Sequence, residues 1–194
     1  MLEKPAKTQV PIHDLIAKRW SPRAFDPNRP VSREQIMALL EAARWAPSCH
    51  GEQPWRYLVF DKQTNPTAWE QAWNCLEEAN QKWAKNAPLL ILATVVSKFE
   101  HHGQPNRWAQ YDGGAASEHI CLQAVSLGLV AHQMGGFKLA KVHEVLGLPV
   151  EATAMAMIAV GYQASPDLLE DGFKQYELLE RTRKPLAEIV FEGP

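Results

Sequence analysis

The chain has 194 residues, of which 46% are hydrophobic and 22% are charged, and its formal net charge is −2. This size and composition are typical of a globular protein with a sizeable core, and we expect one domain over residues 1–194. The near-neutral charge argues against a nucleic-acid-binding protein, which carries a clear basic excess. No apolar run reaches the roughly 18 residues needed to span a membrane. The polar N-terminus has no signal-peptide core, so we expect a cytoplasmic protein without a membrane partner.

Hydrophobic periodicity, capping signals and turn residues predict an alternation of helices and strands. In chain order these are a helix over 11–19, a helix after Ser32, a strand over 56–60, a helix over 66–85, a strand over 89–96, a helix over 113–127, a strand over 129–134, a helix over 139–146, and strands over 153–160 and 188–191. The second helix has the clearest start, because Ser32 and Gln35 form a capping-box pattern. About four or five strands interleaved with long helices indicate an α+β or three-layer fold.

Cysteine and histidine residues do not form a metal-binding pattern. The chain has three cysteines, at Cys49, Cys75 and Cys121. Their odd number and wide spacing fit neither a zinc site nor a secreted disulfide framework. We expect the last two to be small hydrophobic residues in helices, and the first to lie in a polar loop. His101 and His102 are predicted to lie in an exposed loop, and His119 and His132 in the core or at its rim.

Two short basic segments could form an anion site. They are Lys-Arg-Trp-Ser-Pro-Arg over 18–23 and Arg-Thr-Arg-Lys over 181–184. Arginine binds phosphate in a bidentate manner, and the Ser21 hydroxyl can add a donor. Taken alone, each segment fits solvated surface charge at least as well, since short charge runs are usually solvated.

Two loops have the composition of ligand-binding segments. Residues 46–55 contain two prolines, a glycine and several polar side chains. Among these, Gln53 can both donate and accept at the edge of a heteroaromatic ring, although a structured turn before a strand is the alternative. Gly135 and Gly136 allow a flat ligand to approach the backbone closely, and a plain strand-to-helix turn is again the alternative. The usual glycine-rich motifs for dinucleotides and nucleoside triphosphates do not occur.

Five sequence blocks occur together over nearly the whole chain. They are RWSPRAF over 19–25, EAARWAPS over 41–48, QPWR over 53–56, MGGF leading to LGLP within 134–149, and RTRKPL over 181–186. In this order they resemble the nitroreductase family of FMN-dependent NAD(P)H oxidoreductases. The resemblance implies an α+β, nitroreductase-like three-layer sandwich, with a central mixed or antiparallel sheet flanked by helices. It also implies a homodimer that exchanges a C-terminal strand and holds two FMN molecules at its interface.

The resemblance implies which residues bind FMN. Arg19 and Ser21 would hold its phosphate and ribityl end, Arg23 would lie near the N1/C2 edge of the ring, and Arg183 with Arg181 would close the phosphate site. The loop at Pro47 would come from the opposite subunit, Asn80 would bond the ring edge, and the two glycines would place N–H groups near N5 and O4. The full implied set is Arg19, Trp20, Ser21, Arg23, Pro47, Ser48, Cys49, Gly51, Asn80, Gln133, Met134, Gly135, Gly136, Arg181 and Arg183. No residue is assigned a catalytic role and no metal is expected.

Two positions depart from the family pattern. Gly51 stands where the family usually has asparagine, so a side-chain amide is lost and flavin binding there is altered unless a neighbour compensates. Trp20 stands where a second basic residue is usual.

The implied function is an FMN-dependent enzyme with ping-pong kinetics. NAD(P)H would give a hydride to flavin N5 and depart, and a nitroaromatic, a quinone or a related acceptor would then take its place. Three alternatives stay open: a non-catalytic flavin-binding or sensor protein, a reductase of the same family with a dedicated small metabolic substrate, and a structural or interaction protein.

Overall fold

The chain folds as an alternation of helices and strands, which the computed structural model describes over residues 2–193. The elements are α1 (Asp14–Lys18), α2 (Arg33–Arg44), β1 (Trp55–Asp61), α3 (Pro66–Asn74), α4 (Glu78–Ala84), β2 (Leu89–Val96), α5 (Ala109–Ser126), β3 (Val130–Met134), α6 (Leu139–Leu146), β4 (Ala152–Gly161) and α7 (Asp171–Leu178). Short 3₁₀ turns occupy Cys49–Gly51, Pro166–Leu168 and Leu186–Glu188. None of the helices within 2–193 is long and apolar enough to cross a bilayer.

The four strands form one sheet in the order β1-β2-β4-β3, and every neighbouring pair is antiparallel. At its centre, Leu92 of β2 lies opposite Leu58 on one side and Met157 on the other. The register shifts once, between Ala93 and Thr94. The sheet is therefore antiparallel throughout, which is one of the two forms that the sequence predicts.

Helices cover both faces of the sheet, because successive side chains of a strand point to opposite faces. Leu90 and Leu92 belong to a core that includes side chains of α3, α4 and α6. Leu89 and Ile91 belong to a second core with α2 and α5. A strand buried on both faces needs a continuous apolar run, as β2 has. The predicted α+β three-layer sandwich is confirmed.

The helix predicted over 66–85 is broken into α3 and α4, which corrects the prediction. The break lies where residues 75–77 pair with the segment after β3. Lys138 donates its backbone N–H to Cys75 O at 2.8 Å, Glu77 donates to Gly136 O at 3.0 Å, and an antiparallel bridge joins the residues between them. Because these backbone groups bond another segment, the helix cannot continue through them.

The strand predicted over 188–191 is wrong for the single chain. Leu186–Glu188 form a 3₁₀ turn that begins after Pro185, and residues 189–193 have neither helix nor strand. A strand requires a neighbour to pair with, and no sheet edge is paired with this tail in the described chain. The exchange of this segment in a homodimer stays a prediction.

A glycine pair in α5 tests the packing of this helix on the sheet. A Cβ on Gly113 would lie 2.5 Å from a Val95 methyl carbon, whereas a Cβ on Gly114 would meet nothing within 4 Å. We expect Gly113→Ala to lower the free energy of unfolding by roughly 1–3 kcal/mol through overpacking. Gly114→Ala should raise it by up to about 1 kcal/mol through helix propensity. Urea unfolding measures both, and similar effects at the two positions would contradict this packing.

Candidate functional site

Three distant segments of the chain meet around a cavity of about 190 Å³. They are the N-terminal residues, the turn after α1 and the segment from α7 onward. The cavity, here called the cationic pocket, is lined by Lys4, Arg19, Trp20, Ser21, Arg23, Tyr176, Arg181 and Arg183. The structure thus brings together the two basic segments that the sequence analysis singled out.

The pocket has an excess of positive charge. Its lining contains five cationic side chains and no acidic one. Arg19 is partly neutralised, because its Nε lies 3.2 Å from Glu118 Oε1. Within residues 2–193, neither Arg23 nor Arg183 takes part in a salt bridge. Guanidinium groups that face a shared cavity without acidic partners are suited to hold an anion such as a phosphate.

Arg181 holds the two ends of the chain together. Its Nη1 donates to Lys4 O at 2.7 Å and to Ala17 O at 2.8 Å. Burial lowers the pKa of Arg181, and Arg19 and Arg183 lower it further. Because Ala17 lies in the last turn of α1, this contact also caps carbonyls that the short helix leaves free. The helix spans Asp14–Lys18, so it begins three residues later and ends one residue earlier than predicted.

Arg19 and Ser21 lie side by side in the pocket wall. The Arg19 Nη1 donates to Ser21 Oγ at 3.3 Å. A hydroxyl that accepts from arginine keeps its own hydrogen free to donate. The pair can therefore present donors of two kinds to one anion.

A buried carboxylate fixes the backbone of the turn that carries Arg23. Glu177 of α7 is fully buried. Its Oε1 and Oε2 accept from Arg23 N at 2.9 and 3.0 Å, and Oε1 also accepts from Ala24 N at 3.2 Å. These bonds compensate for the burial of the carboxylate, and they hold α7 against the turn.

His132 supports the same turn from the sheet side. Its Nδ1 lies 3.0 Å from Pro22 O, and its ring lies 4.5 Å from the ring of Trp83. Burial lowers the pKa of His132 to about 4, with nearby Arg23 adding to the shift. The neutral ring must carry its proton on Nδ1, since a carbonyl oxygen can only accept. The prediction of a core or rim histidine is confirmed.

A second group of predicted residues lies together after β3. Asn80 Nδ2 donates to Gly136 O at 3.0 Å, and a Cβ on Gly136 would lie 2.8 Å from that nitrogen. Only glycine fits there without a shift of the amide. Gly135 and Gln133 are exposed, whereas the side chain of Met134 is buried in the core. Met134 can therefore reach a ligand only through its backbone. None of these residues lines the cationic pocket.

The loop after α2 forms a third group. Cys49 N donates to Asp112 Oδ2 at 3.0 Å, and Ser48 Oγ accepts from the backbone N–H five residues later. Gly51 has φ of +68°, a conformation that glycine adopts freely and asparagine tolerates best among the others. Glycine at this position therefore adopts the backbone of the loop without strain. Pro47, Ser48, Cys49 and Gly51 do not line the cationic pocket of their own chain.

A larger cavity of about 810 Å³, here called the apolar groove, adjoins the cationic pocket. The two cavities share Arg19, Arg181 and Arg183. The groove lies between residues 6–16 and the tail over 184–189. Its exposed apolar side chains include Ile16 and Ile189, which are 51% and 58% exposed.

The remaining cysteine and histidine predictions can also be placed. Cys75 and Cys121 are buried, as predicted; Cys121 lies in α5, whereas Cys75 follows the last residue of α3. His101 and His102 are exposed, also as predicted. No cluster of three or more histidine, cysteine or acidic residues that could bind a metal occurs in the described part of the chain.

Sequence reasoning missed Lys4, Glu118, Tyr176 and Glu177. Lys4 contacts Glu177 across 173 residues, and Glu177 contacts Arg23 across 154. No local motif marks such contacts. The basic clusters were detectable because arginines close in sequence form a visible pattern.

The protein is an α+β sandwich with a pocket suited to bind an anion. Comparisons with known proteins identify its family. The model of the Nitroreductase family matches residues 16–162. Protein DrgA of Synechocystis sp. is 30% identical over 173 residues, an alignment that covers 76% of this chain and 82% of the relative. A solved oxidoreductase containing FMN is 36% identical with a TM-score of 0.91, and the match covers 97% of this chain and 94% of the other. A Desulfovibrio desulfuricans protein solved in complex with FMN is 26% identical with a TM-score of 0.74, covering 96% and 99%.

The chain belongs to the nitroreductase family, whose members are FMN-dependent oxidoreductases. The family resemblance carried by the five sequence blocks is thereby confirmed.

The Glu177 contact makes a testable contribution to stability. Glu177→Ala leaves the part-buried N–H of Arg23 and the buried N–H of Ala24 without their acceptor, at about 1–3 kcal/mol for a buried unsatisfied donor. We expect urea unfolding to show a loss within that range or above it. Glu180→Ala is the control, because it removes an exposed carboxylate paired with Lys7 and should leave stability nearly unchanged. Equal losses in the two variants would contradict the anchoring role of Glu177.

Proposed function

We propose that this chain binds FMN with the phosphate in the cationic pocket and uses NAD(P)H to reduce nitroaromatics, quinones or related small acceptors. The observation that carries the proposal is the convergence of five cationic side chains on one small cavity, in a member of the nitroreductase family. When bound, FMN supplies the redox chemistry, taking a hydride from NAD(P)H and passing reducing equivalents to the acceptor. The protein binds and orients the reactants.

The size and donors of the pocket fit a phosphate group. Its volume of about 190 Å³ lies below the roughly 300–1,000 Å³ of complete small-molecule sites. It therefore suits the phosphate end of FMN rather than the whole molecule. In our proposal, Arg19, Arg181 and Arg183 provide charge-assisted hydrogen bonds, and Ser21 adds a hydroxyl donor. FMN would be distinguished from neutral riboflavin at this point.

Arg23 is proposed to stabilise the flavin electrostatically. A fixed cation beside the ring edge stabilises negative charge that develops there on reduction. The backbone N–H of Arg23 is held by the Glu177 carboxylate, so the side chain extends from a fixed point. Preorganisation of this kind avoids the reorganisation cost that a mobile cation would incur.

We propose that the functional unit is a homodimer. The loop at Pro47–Gly51 lies outside the cationic pocket of its own chain, and a second copy would bring it to the flavin. The exposed apolar side chains of the groove and of the tail, among them Phe191 at 84% exposure, are the surface that a second copy would cover. Large exposed apolar patches commonly mark interaction surfaces. Asn80, Gly135 and Gly136 would then form the wall against the ring.

An absorbance spectrum of the purified protein tests this proposal, followed by anaerobic addition of NADPH and, separately, NADH. We expect the bands of oxidised flavin, bleaching with at least one reduced nucleotide, and return of the bands when a quinone or nitroaromatic is added.

The outcomes separate the alternatives. Absence of flavin bands, even after FMN is added, would contradict the proposal. Bands that neither nucleotide bleaches would favour a non-catalytic flavin-binding protein. Bleaching that no quinone or nitroaromatic reverses would point to a dedicated metabolic acceptor.

A further inference from the structure

The N-terminal arm, residues 2–10, is fastened to the body of the protein beside the cationic pocket. Ala6 N donates to Ala17 O at 2.8 Å, and Leu2 O accepts from Gln163 Nε2 at 3.1 Å. The arm lies outside the part of the chain that matches the family model, which begins at residue 16. It nevertheless contributes one residue, Lys4, to the wall of the pocket.

Lys4 is held at several points. Its carbonyl accepts from Arg181 Nη1 at 2.7 Å, and its Nζ donates to the backbone carbonyl of Glu177 at 2.9 Å. The ammonium also lies 4.5 Å from the ring centroid of Trp20, within the range of a cation–π contact. An ammonium with one hydrogen bond to a carbonyl keeps two N–H donors available.

The surroundings of Lys4 favour an anion. Burial lowers the pKa of Lys4, the charges of Arg181 and Arg23 lower it further, and only Glu177 opposes them. These groups crowd like charges around one cavity, and a bound anion would relieve that repulsion. Because Lys4 belongs to the N-terminal arm, an anion that it binds in the pocket would add a further contact between the arm and the body.

We propose that Lys4 is a specificity-determining residue, through which the N-terminal arm recognises the terminal phosphate of the flavin and is held more firmly once that phosphate is bound. This inference rests on the proposed function, because it takes FMN as the ligand of the cationic pocket. It goes beyond that function by assigning part of the discrimination between FMN and riboflavin to the N-terminal arm, through Lys4.

Titration of flavin-free protein with FMN and with riboflavin, followed by flavin fluorescence, tests the role of the charge. Lys4→Met keeps an unbranched apolar side chain and removes the ammonium, which is the group that lies over Trp20. We expect it to weaken FMN about tenfold, the size expected for one lost charged hydrogen bond, and to leave riboflavin unchanged. Lys7→Met is the matched control, because Lys7 lies in the same arm but pairs with Glu180 at 2.8 Å and does not line the pocket. Lys4→Arg should retain FMN affinity, since it keeps the charge.

Hydrogen exchange of the wild-type protein provides a readout that does not depend on the folding of any variant. We expect FMN, and not riboflavin, to slow exchange in residues 2–10. Equal losses of FMN and riboflavin affinity in Lys4→Met, or exchange in the arm that FMN leaves unchanged, would overturn the inference. Wild-type protein that binds no FMN would contradict the proposed function itself, and this inference with it. FMN binding that Lys4→Met leaves intact would contradict this inference alone.

Discussion

Mutual repulsion among five cations around a small cavity is the constraint on which the site depends. Unit charges a few ångströms apart repel by about 1–4 kcal/mol at the effective dielectric constants of water and protein surfaces. Acidic and carbonyl groups reduce this repulsion by pairing with the cations. Glu118 pairs with Arg19, and two backbone carbonyls accept from Arg181. The lining of the cavity contains no acidic side chain, so the remaining positive charge faces the cavity.

Glu177 connects this electrostatic arrangement to the fold. Its carboxylate bonds the backbone of the turn after α1, and its carbonyl bonds Lys4 of the N-terminal arm. One residue of α7 thus joins the beginning, the early turn and the late helix of the chain. The sheet supports the same turn from the other side through His132 of β3 and its contact with Pro22 O. The phosphate site that we propose is consequently formed by residues distant in sequence, and no single segment could form it alone.

The elements best predicted from sequence are those whose signals are local. The strand over 89–96 and the helix over 139–146 have the predicted bounds, because one is a continuous apolar run and the other ends at Gly147, which has φ of +63°. The capping box of Ser32 and Gln35 is present as predicted. The helix over 66–85 could not be predicted in full, because its break is set by backbone pairing with residues some 60 positions later.

The same distinction holds for the candidate site. Arg19, Ser21, Arg23 and Arg183 were recognisable because they lie in short basic motifs. Lys4 and Glu177 were not, since each has an ordinary sequence neighbourhood and acquires its role through contacts more than 150 residues away. The sequence shows that Gly51 and Gly136 are glycines, but only the structure shows why glycine suits each position. Gly51 has a positive φ, and Gly136 lies close to the side-chain amide of Asn80.

The central claim is that the cationic pocket binds the phosphate of FMN. The most direct test compares FMN affinity in the wild-type protein and in the double variant Arg19→Ala/Arg183→Ala, with Arg29→Ala/Arg107→Ala as a control that removes equal charge from exposed positions. Loss of two charged hydrogen bonds should weaken FMN by about a hundredfold or more, while riboflavin affinity and the control variant change little. A double variant that holds FMN as tightly as the wild type would contradict the account.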